Sequence, residues 1–361
     1  MRVLSLFDGM SCGYLALLSA KIPIESYDAF EIDETAIKTS SHNFQDIKHH
    51  GDVFKADFRE FAGVDLLCGG SPCTYWSIAA AGQGQRETTA NGMGWDLFQQ
   101  YVRALKEAHP RYFIYENNAS MSREIKTQIS KTFGFEPIEI DSSLVSAQSR
   151  KRLYWVGISD GEKYKKATIR QPKERGIVMD DIIEDALSAR KKGFAVTHLS
   201  GNGRDFLKKN HTNIAFIPVQ VGMYPKEDKE ISQSKQYRIY STCNKGVTIC
   251  GQGGGKGAKT GLYAIKGKTF EVKNNLIFIG ERYYSIKLPD GYYDIRSLTV
   301  DETKRMQTVP DWYEFPCSKT QAFKMLGNGW TVEVIAHIIR EMLENKEEEQ
   351  ITFEEILKWK I

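Results

Sequence analysis

The 361-residue chain has no run of about 18 apolar residues, so nothing in it reads as a membrane span. Its six cysteines form no Cys-x-x-Cys pair and have no matching histidine pair nearby, which argues against a zinc site and a disulfide framework. Charge of one sign is scarce as well. The 49 basic residues nearly cancel the 46 acidic ones, leaving a formal net charge of +3, so any nucleic-acid footprint must be local. The first residues, MRVLSLFDG, lack the charged, then apolar, then small-residue order of a signal peptide, and a cytoplasmic protein is expected. The glycine turn that follows them is not Gly-x-Gly-x-x-Gly, which argues against a dinucleotide pyrophosphate. The later run GQGGGKGAKTG is not a phosphate loop either. Its Lys259-Thr260 follows Ala258, where that loop needs Gly-Lys-Thr or Gly-Lys-Ser.

What is present up to about residue 160 is an alternation of short apolar runs (VLSLF, SYDAFEI, DLLCGG, YFIYEN) with helical stretches such as YLALLSA and FQQYVRALKEA. Parallel strands need long crossovers, so this predicts a doubly wound, mainly parallel α/β sheet with helices on both faces. Between about 170 and 295 the texture changes to short Tyr-, Thr- and Gly-rich pieces, read as a smaller, irregular β-rich domain. Helical patterning returns with Thr299, Asp301 and Glu302 and with VEVIAHIIREMLENKEEE. We therefore expect a first domain over 1–175, a second over 176–294, and a segment 295–361 that completes the first. The charged tail from Glu341 reads as a solvated surface helix.

The strand VLSLF runs through Asp8-Gly9-Met10-Ser11-Cys12-Gly13 into a helix start, where free N–H groups and close backbone approach make a ligand cradle. Glu31 follows at the end of the second strand, where a carboxylate can accept from ribose hydroxyls, and Gly51-Asp52 ends a third segment that could face an adenine. The buried strand DLLC breaks at Gly69-Gly70-Ser71-Pro72-Cys73, which puts Cys73 where open α/β sheets hold their ligands. Read alone, Cys73 is better explained as a buried thiol. The next strand delivers Glu116 in Glu116-Asn117-Asn118, and Gln148-Ser149-Arg150-Lys151-Arg152 places two arginines on one side of an extended segment.

Together these motifs resemble the C5-cytosine-specific DNA methyltransferases of bacterial and phage type. Phe7 to Gly13 is similar to that family's cofactor motif, Gly70 to Cys73 to its Pro-Cys motif, Glu116 to Asn118 to its Glu-Asn motif, and Gln148 to Arg152 to Gln-x-Arg-x-Arg. Arg296 to Thr299 with Glu302, Arg305, Gln307 and Pro310 resembles the motif after the target-recognition domain, and Gly327-Asn328-Gly329 with Val332 the last cofactor motif. The family order is kept over nearly the whole chain. Thr74 stands where Gln or Asn is commoner, Asn118 where Val is common, and Asp8 where Ala is common.

The resemblance implies a Rossmann-like S-adenosylmethionine-dependent sheet plus a target-recognition domain, and methylation at C5 of a flipped-out cytosine in double-stranded DNA. It implies Cys73, Glu116, Arg150 and Arg152 as catalytic residues. S-adenosylmethionine would lie against Phe7, Asp8, Gly9, Gly13, Glu31, Ile32, Asp52, Val53, Pro72, Leu97, Asn328 and Trp330. DNA contacts are expected from Gln83, Arg86, Gln148, Arg238, Lys256 and Lys259, with Arg204, Lys208, Lys209, Lys235 and Lys245 in the same basic set. The polar, glycine-rich segment Gly82 to Gly94 is expected to close on the DNA. The chain is read as a monomer, associated with the nucleoid through DNA, beside which a cognate restriction endonuclease would act separately. Two rivals remain. A transfer-RNA cytosine methyltransferase shares the catalytic motifs, although its usual Cys-Phe-Thr tripeptide is not evident. A catalytically dead DNA-binding relative should have lost the cysteine, the glutamate or the arginines, and all are present.

Overall fold

The computed structural model of the protein describes residues 1–72, 74–77, 86–184, 217–226, 230–231, 234–251, 256–257 and 259–344. Cys73, Gln83, Arg204, Lys208, Lys209 and the tail from residue 345 lie outside the described residues.

The chain runs β1 (Arg2–Leu6), α1 (Cys12–Ser19), β2 (Ser26–Phe30), α2 (Glu34–Asn43), β3 (Ile47–His49), β4 (Leu66–Gly69), α3 (Met93–Ala108), β5 (Tyr112–Asn118), α4 (Arg123–Phe133), β6 (Ile138–Asp141), β7 (Lys151–Ser159) and β8 (Tyr164–Lys166). These strands make one sheet of order β3-β2-β1-β4-β5-β7-β6, with β8 on β7. From β3 to β5 every pairing is parallel. β7 then enters antiparallel between β5 and β6. Hydrophobic alternation does not encode strand direction, so this reversal was not visible in the sequence.

Helix signals are local and ordinary. Ser122 caps α4 by accepting from the Ile125 amide, and Gly134 ends it in the left-handed region. In α3, Phe98, Tyr101, Val102 and Leu105 repeat at i, i+3, i+4 and i+7 and are buried. Odd and even residues of β1 point to opposite faces. Val3 joins a core with Leu15, Tyr27, Ile114 and Ile338, and Leu4 joins one with Phe98, Tyr101 and Ile125. Residues 332–344 form a helix (α7) whose Val334, Ile335, Ile338, Ile339 and Met342 enter the first of these cores, so the end of the described chain packs on the sheet that its start began.

The second sheet comprises β9 (Gln220–Met223), β12 (Arg238–Ser241), β13 (Leu262–Lys273), β14 (Leu276–Ile279), β15 (Arg282–Ser285) and β16 (Gly291–Arg296), with β10 (Pro225–Lys226) and β11 (Glu230–Ile231) as a separate short pair. It has its own apolar cluster around Ile239, Leu262, Val272 and Ile277. A further cluster containing Ala147, Met179, Tyr240, Ile249, Tyr263, Leu298 and Met306 joins the two sheets. The chain returns to the first sheet through α5 (Val300–Met306) and α6 (Lys319–Asn328). Thr299 and Glu302 cap α5 reciprocally, and Arg296 grips the fully buried Glu302 carboxylate with both terminal nitrogens at 2.8 Å.

Candidate active site

The strand order reverses direction of growth between β1 and β4, and a cleft opens at the carboxyl ends of these strands, where such sheets hold their ligands. Its floor is the glycine turn. Phe7, Gly9 and Ser11 all have positive φ (57°, 60° and 61°), a concentration of left-handed backbone that stores strain where a loop must fold tightly onto a helix start. Glu31 ties the turn down. One carboxylate oxygen accepts from the Gly9 amide and the other from the Ile32 and Asp33 amides, each at 2.8 Å. Beneath the turn, the Asp8 carboxylate accepts from Ser5 Oγ at 2.6 Å, Tyr27 Oη at 2.7 Å and Ser11 Oγ at 2.5 Å. Burial pushes the Asp8 carboxyl above the usual aspartate range, against the pull of Ser11, Ser5 and Tyr27.

The opposite wall comes from β4, β5 and β7. Asn118 pairs with Arg152 in the antiparallel register, so Glu116, two residues earlier, projects from the same face as Arg152's cross-strand partner. The diagonal is bridged: Arg152 Nε lies 3.1 Å from Glu116 Oε1, and Trp330 Nε1 donates to Glu116 Oε2 at 2.9 Å. The carboxylate is thus held between two donors. Gly70 is a close-approach glycine, since a Cβ there would sit 2.7 Å from the Glu116 carbonyl oxygen and 2.8 Å from Oε2. Ser71 Oγ and Tyr115 Oη share a hydrogen bond at 2.7 Å, and Asn117 Nδ2 donates to the Ser71 carbonyl. The strand end that leads to Pro72, and hence to Cys73 next in sequence, is thereby fixed against the strand that carries Glu116.

The cleft, about 200 Å³, brings together Phe7, Asp8, Gly9, Glu31, Pro72, Glu116, Arg150, Arg152, Asn328 and Trp330 of the expected set. Gly13, Ile32, Asp52, Val53 and Leu97 are not among its described lining residues. Gly13 packs under Tyr27, Ile32 is 72% exposed, Asp52 caps the turn at 53–55, Val53 is buried, and Leu97 packs beside the Phe98 core. Sequence reasoning missed Met10, Asp33, Lys324 and Met325, which also line it. Lys324 lies one helical turn before Asn328 and pairs with Asp33 at 2.8 Å, so the i, i+4 spacing was a usable signal.

Three of the expected residues are buried at the junction of the two sheets. Arg150, expected as a catalytic residue, lines the cleft, is 3% exposed and donates to the carbonyls of Ile249 (3.2 Å), Gly327 and Gly329 (both 2.9 Å). Its guanidinium closes the carboxyl end of α6, whose last carbonyls have no helical partners. Gln148, expected at DNA, is fully buried. Its side chain donates to Gln307 Oε1 and accepts from the Ile249 amide. Lys245 is also buried, donating to the carbonyls of Ser143 and Ile177 at 2.5 Å and of Ser146 at 3.0 Å, and burial pulls its ammonium below the usual lysine range. The reason is common to all three. Polar groups of the motif loop and of the segment 244–250 satisfy one another where the two sheets join.

Other basic candidates remain at the surface or near it. Arg86 is half-buried and donates to the Ser120 carbonyl at 2.8 Å, Arg238 is partly exposed at the start of β12, and Lys256 stands 3.7 Å over the Tyr224 ring. Lys259 donates to the Thr320 carbonyl at 3.1 Å. Of the segment expected to close on DNA, the described end is tied by Glu87, which accepts from Trp76 Nε1 and the Gly94 amide. No cluster of metal ligands occurs among the described residues, and no helix among them is long and apolar enough to cross a membrane.

The sequence profile of C-5 cytosine-specific DNA methylases matches residues 1–344. The chain belongs to this family. Methylases of the family take their methyl group from S-adenosylmethionine. Among its relatives, the type II methyltransferase M.HhaI of Haemophilus parahaemolyticus is 24% identical over 94% of this chain and 93% of its own length. M1.ScrFI of Lactococcus lactis subsp. cremoris is 25% identical over 95% of this chain and 78% of its own. The orphan methyltransferase M.Rho11sI of Bacillus phage rho11s is 33% identical, but the match covers 44% of this chain and only 33% of the phage enzyme's length; for M.SPRI of Bacillus phage SPR the latter share is 38%. The fold is shared with S. pombe Dnmt2 (TM-score 0.60, 15% identity, 96% of this chain and 98% of that one) and with Entamoeba histolytica EhMeth (TM-score 0.61, 12% identity, the same coverage).

The cleft fits that donor. The Glu31 carboxylate, with about four lone-pair sites, spends three on backbone amides and keeps capacity for a ribose hydroxyl. Apolar and aromatic surface from Phe7, Met10, Pro72 and Trp330 lines the same space.

Proposed function

We propose that this chain methylates C5 of a cytosine flipped out of double-stranded DNA, with Cys73 as nucleophile. The observation that carries the reading is the Glu116 carboxylate, held by Arg152 and Trp330 at the edge of the cleft and against the strand end that leads into Pro72-Cys73. In this reading Phe7, Gly9, Glu31, Asn328 and Trp330 hold S-adenosylmethionine, with Asp8 supporting the turn from below. That cofactor supplies an electrophilic methyl group on a sulfonium, whose sulfur keeps the bonding pair.

Cytosine C5 is a poor nucleophile. The Cys73 thiolate adds its pair to C6, and the C5–C6 π pair moves to C5, which makes C5 nucleophilic toward the methyl group that the cofactor would supply. N3 takes a proton from solvent as the pair enters the ring and gives it back when the thiolate leaves, and the Glu116 carboxylate accepts from that N3–H and from the exocyclic amine, so the charge entering the ring is neutralised as it develops. Arg152 holds Glu116 in place and lowers the energy of the thiolate. A base then takes the C5 proton, its bonding pair restores the C5–C6 double bond, and the S–C6 bond breaks with its pair returning to sulfur. The surrounding DNA is unstacked at a cost of a few kcal/mol. Arg238 and Lys256 suit contacts with the DNA on the second sheet. A restriction endonuclease acting at the same sites would be a separate protein.

Incorporation of tritium from methyl-labelled S-adenosylmethionine into plasmid DNA tests the reading. Glu116→Gln keeps the shape but removes the anion that stabilises a protonated N3, so kcat is expected to fall by roughly 10²-fold or more with cofactor affinity little changed. A variant as fast as wild type would remove Glu116 from the mechanism.

A further inference from the structure

The glycine turn that floors the cleft is a tight one. The Asp8 carbonyl accepts from the Ser11 amide at 3.1 Å, which leaves Gly9 and Met10 at its centre, and Gly9 and Ser11 both have positive φ. Each central residue is gripped by one distant side chain. Glu31 accepts from the Gly9 amide at 2.8 Å, and Tyr313 Oη donates to the Met10 carbonyl at 2.8 Å from 303 residues along the chain. Tyr313 is fully buried and is not among the cleft's described lining residues, whereas Asp8, Gly9, Met10 and Cys12 are. It holds the turn from behind. Other groups place its ring. Between α5 and α6, the buried Lys304 ammonium donates to the carbonyls of Asp311 and Tyr313, each at 2.9 Å. Glu314 exchanges hydrogen bonds with Asn43 at the end of α2: its amide donates to Asn43 Oδ1 and its carbonyl accepts from Asn43 Nδ2, both at 2.9 Å. Phe44 and Phe315 flank the Tyr313 ring, with centroids 6.0 Å and 5.3 Å away. What the hydroxyl adds is the bond to the Met10 carbonyl.

We propose that Tyr313 is a positioning residue for the cofactor: its hydroxyl holds the Met10 carbonyl on the side away from the cleft and keeps the backbone of residues 9–12 in the shape that S-adenosylmethionine meets. This rests on the reading of the cleft as the cofactor site. A buried carbonyl that loses its donor carries the full cost of desolvation, so the turn is driven toward conformations in which that oxygen regains a partner. Gly9 makes such a change readily, since glycine adopts either sign of φ. Cofactor affinity then falls with the fraction of molecules whose turn remains in the binding shape. The steps after binding use Glu116 and Arg152, which stand on β5 and β7 rather than on the turn, so turnover at saturating cofactor is kept.

The test is calorimetric titration of S-adenosylhomocysteine into the full-length protein and into Tyr313→Phe, which keeps the ring and loses the hydroxyl. The dissociation constant of the variant is expected to rise at least about fivefold, while kcat on plasmid DNA at saturating S-adenosylmethionine stays within about twofold of wild type. Tyr164→Phe is the control. It removes a hydroxyl that holds the Pro110 carbonyl before the start of β5, at the opposite end of the sheet from the cleft, and its affinity should match that of wild type. If Tyr313→Phe does not fold, Trp312→Ala carries the test. That ring is 55% exposed with its centroid 6.2 Å from that of Tyr313, so its loss loosens Tyr313 without opening a buried cavity. The constant is then expected to rise at least about twofold. An unchanged constant in the folded variant, an equal rise in Tyr164→Phe, or a kcat that falls as far as the affinity overturns the proposal. Failure of the wild type to bind S-adenosylhomocysteine instead rejects the reading of the cleft.

Discussion

Cys73→Ser is expected to lower methyl transfer to DNA by at least about 10⁴-fold, because the mechanism asks one group for the whole nucleophilic step. A serine hydroxyl has the shape of the thiol but at neutral pH supplies almost no anion. Binding should survive. The residues proposed to hold the cofactor arise from the turn at Phe7 to Gly9, from Glu31 and from the segment 328–330, none of which includes Cys73. Single-turnover assays beside S-adenosylhomocysteine titration separate the two effects. Loss of activity together with loss of cofactor binding would mean that the substitution disturbed the site, and retained activity would mean that the nucleophile is elsewhere.

Lys245→Met is expected to destabilise the protein by about 3–5 kcal/mol, a large effect for a residue that touches no substrate. The ammonium satisfies the carbonyls of Ser143, Ser146 and Ile177 and lies 3.4 Å from Glu174 Oε1, all where the two sheets join. Methionine fills similar volume but leaves buried carbonyls unpaired, at roughly 1–3 kcal/mol for each group that water cannot reach. Urea unfolding should show a lower midpoint with little change in slope. A loss under about 1 kcal/mol would mean that water replaces the ammonium at these carbonyls.

These two residues also mark how far the sequence could be read. That Glu116 and Arg152 share a cleft was legible because each belongs to a short motif at a strand end, and strand ends can be located from hydrophobic runs alone. The glycine turn and Glu31 were legible for the same reason. The burial of Lys245, Gln148 and Arg150 was not visible. Whether a basic or amide side chain meets water or a carbonyl depends on partners about 100 or more residues away, such as Ser143 for Lys245 and Gly327 for Arg150. No local pattern distinguishes these cases. The antiparallel entry of β7 was hidden too, and it matters most, since it sets Arg152 diagonally across from Glu116. Gly327 reads as a motif glycine, and only the structure shows that a Cβ on it would meet the backbone of Cys250 and Gly251.

The central claim is that this chain places a methyl group on C5 of cytosine in duplex DNA. Plasmid DNA incubated with the purified protein and S-adenosylmethionine, then sequenced after bisulfite conversion, tests it at base resolution. The account predicts protected cytosines confined to one recurring sequence context, and none with Cys73→Ser. Full conversion of every cytosine by a protein that binds S-adenosylhomocysteine would contradict it, and protection of cytosines in transfer RNA alone would move the activity to the other substrate.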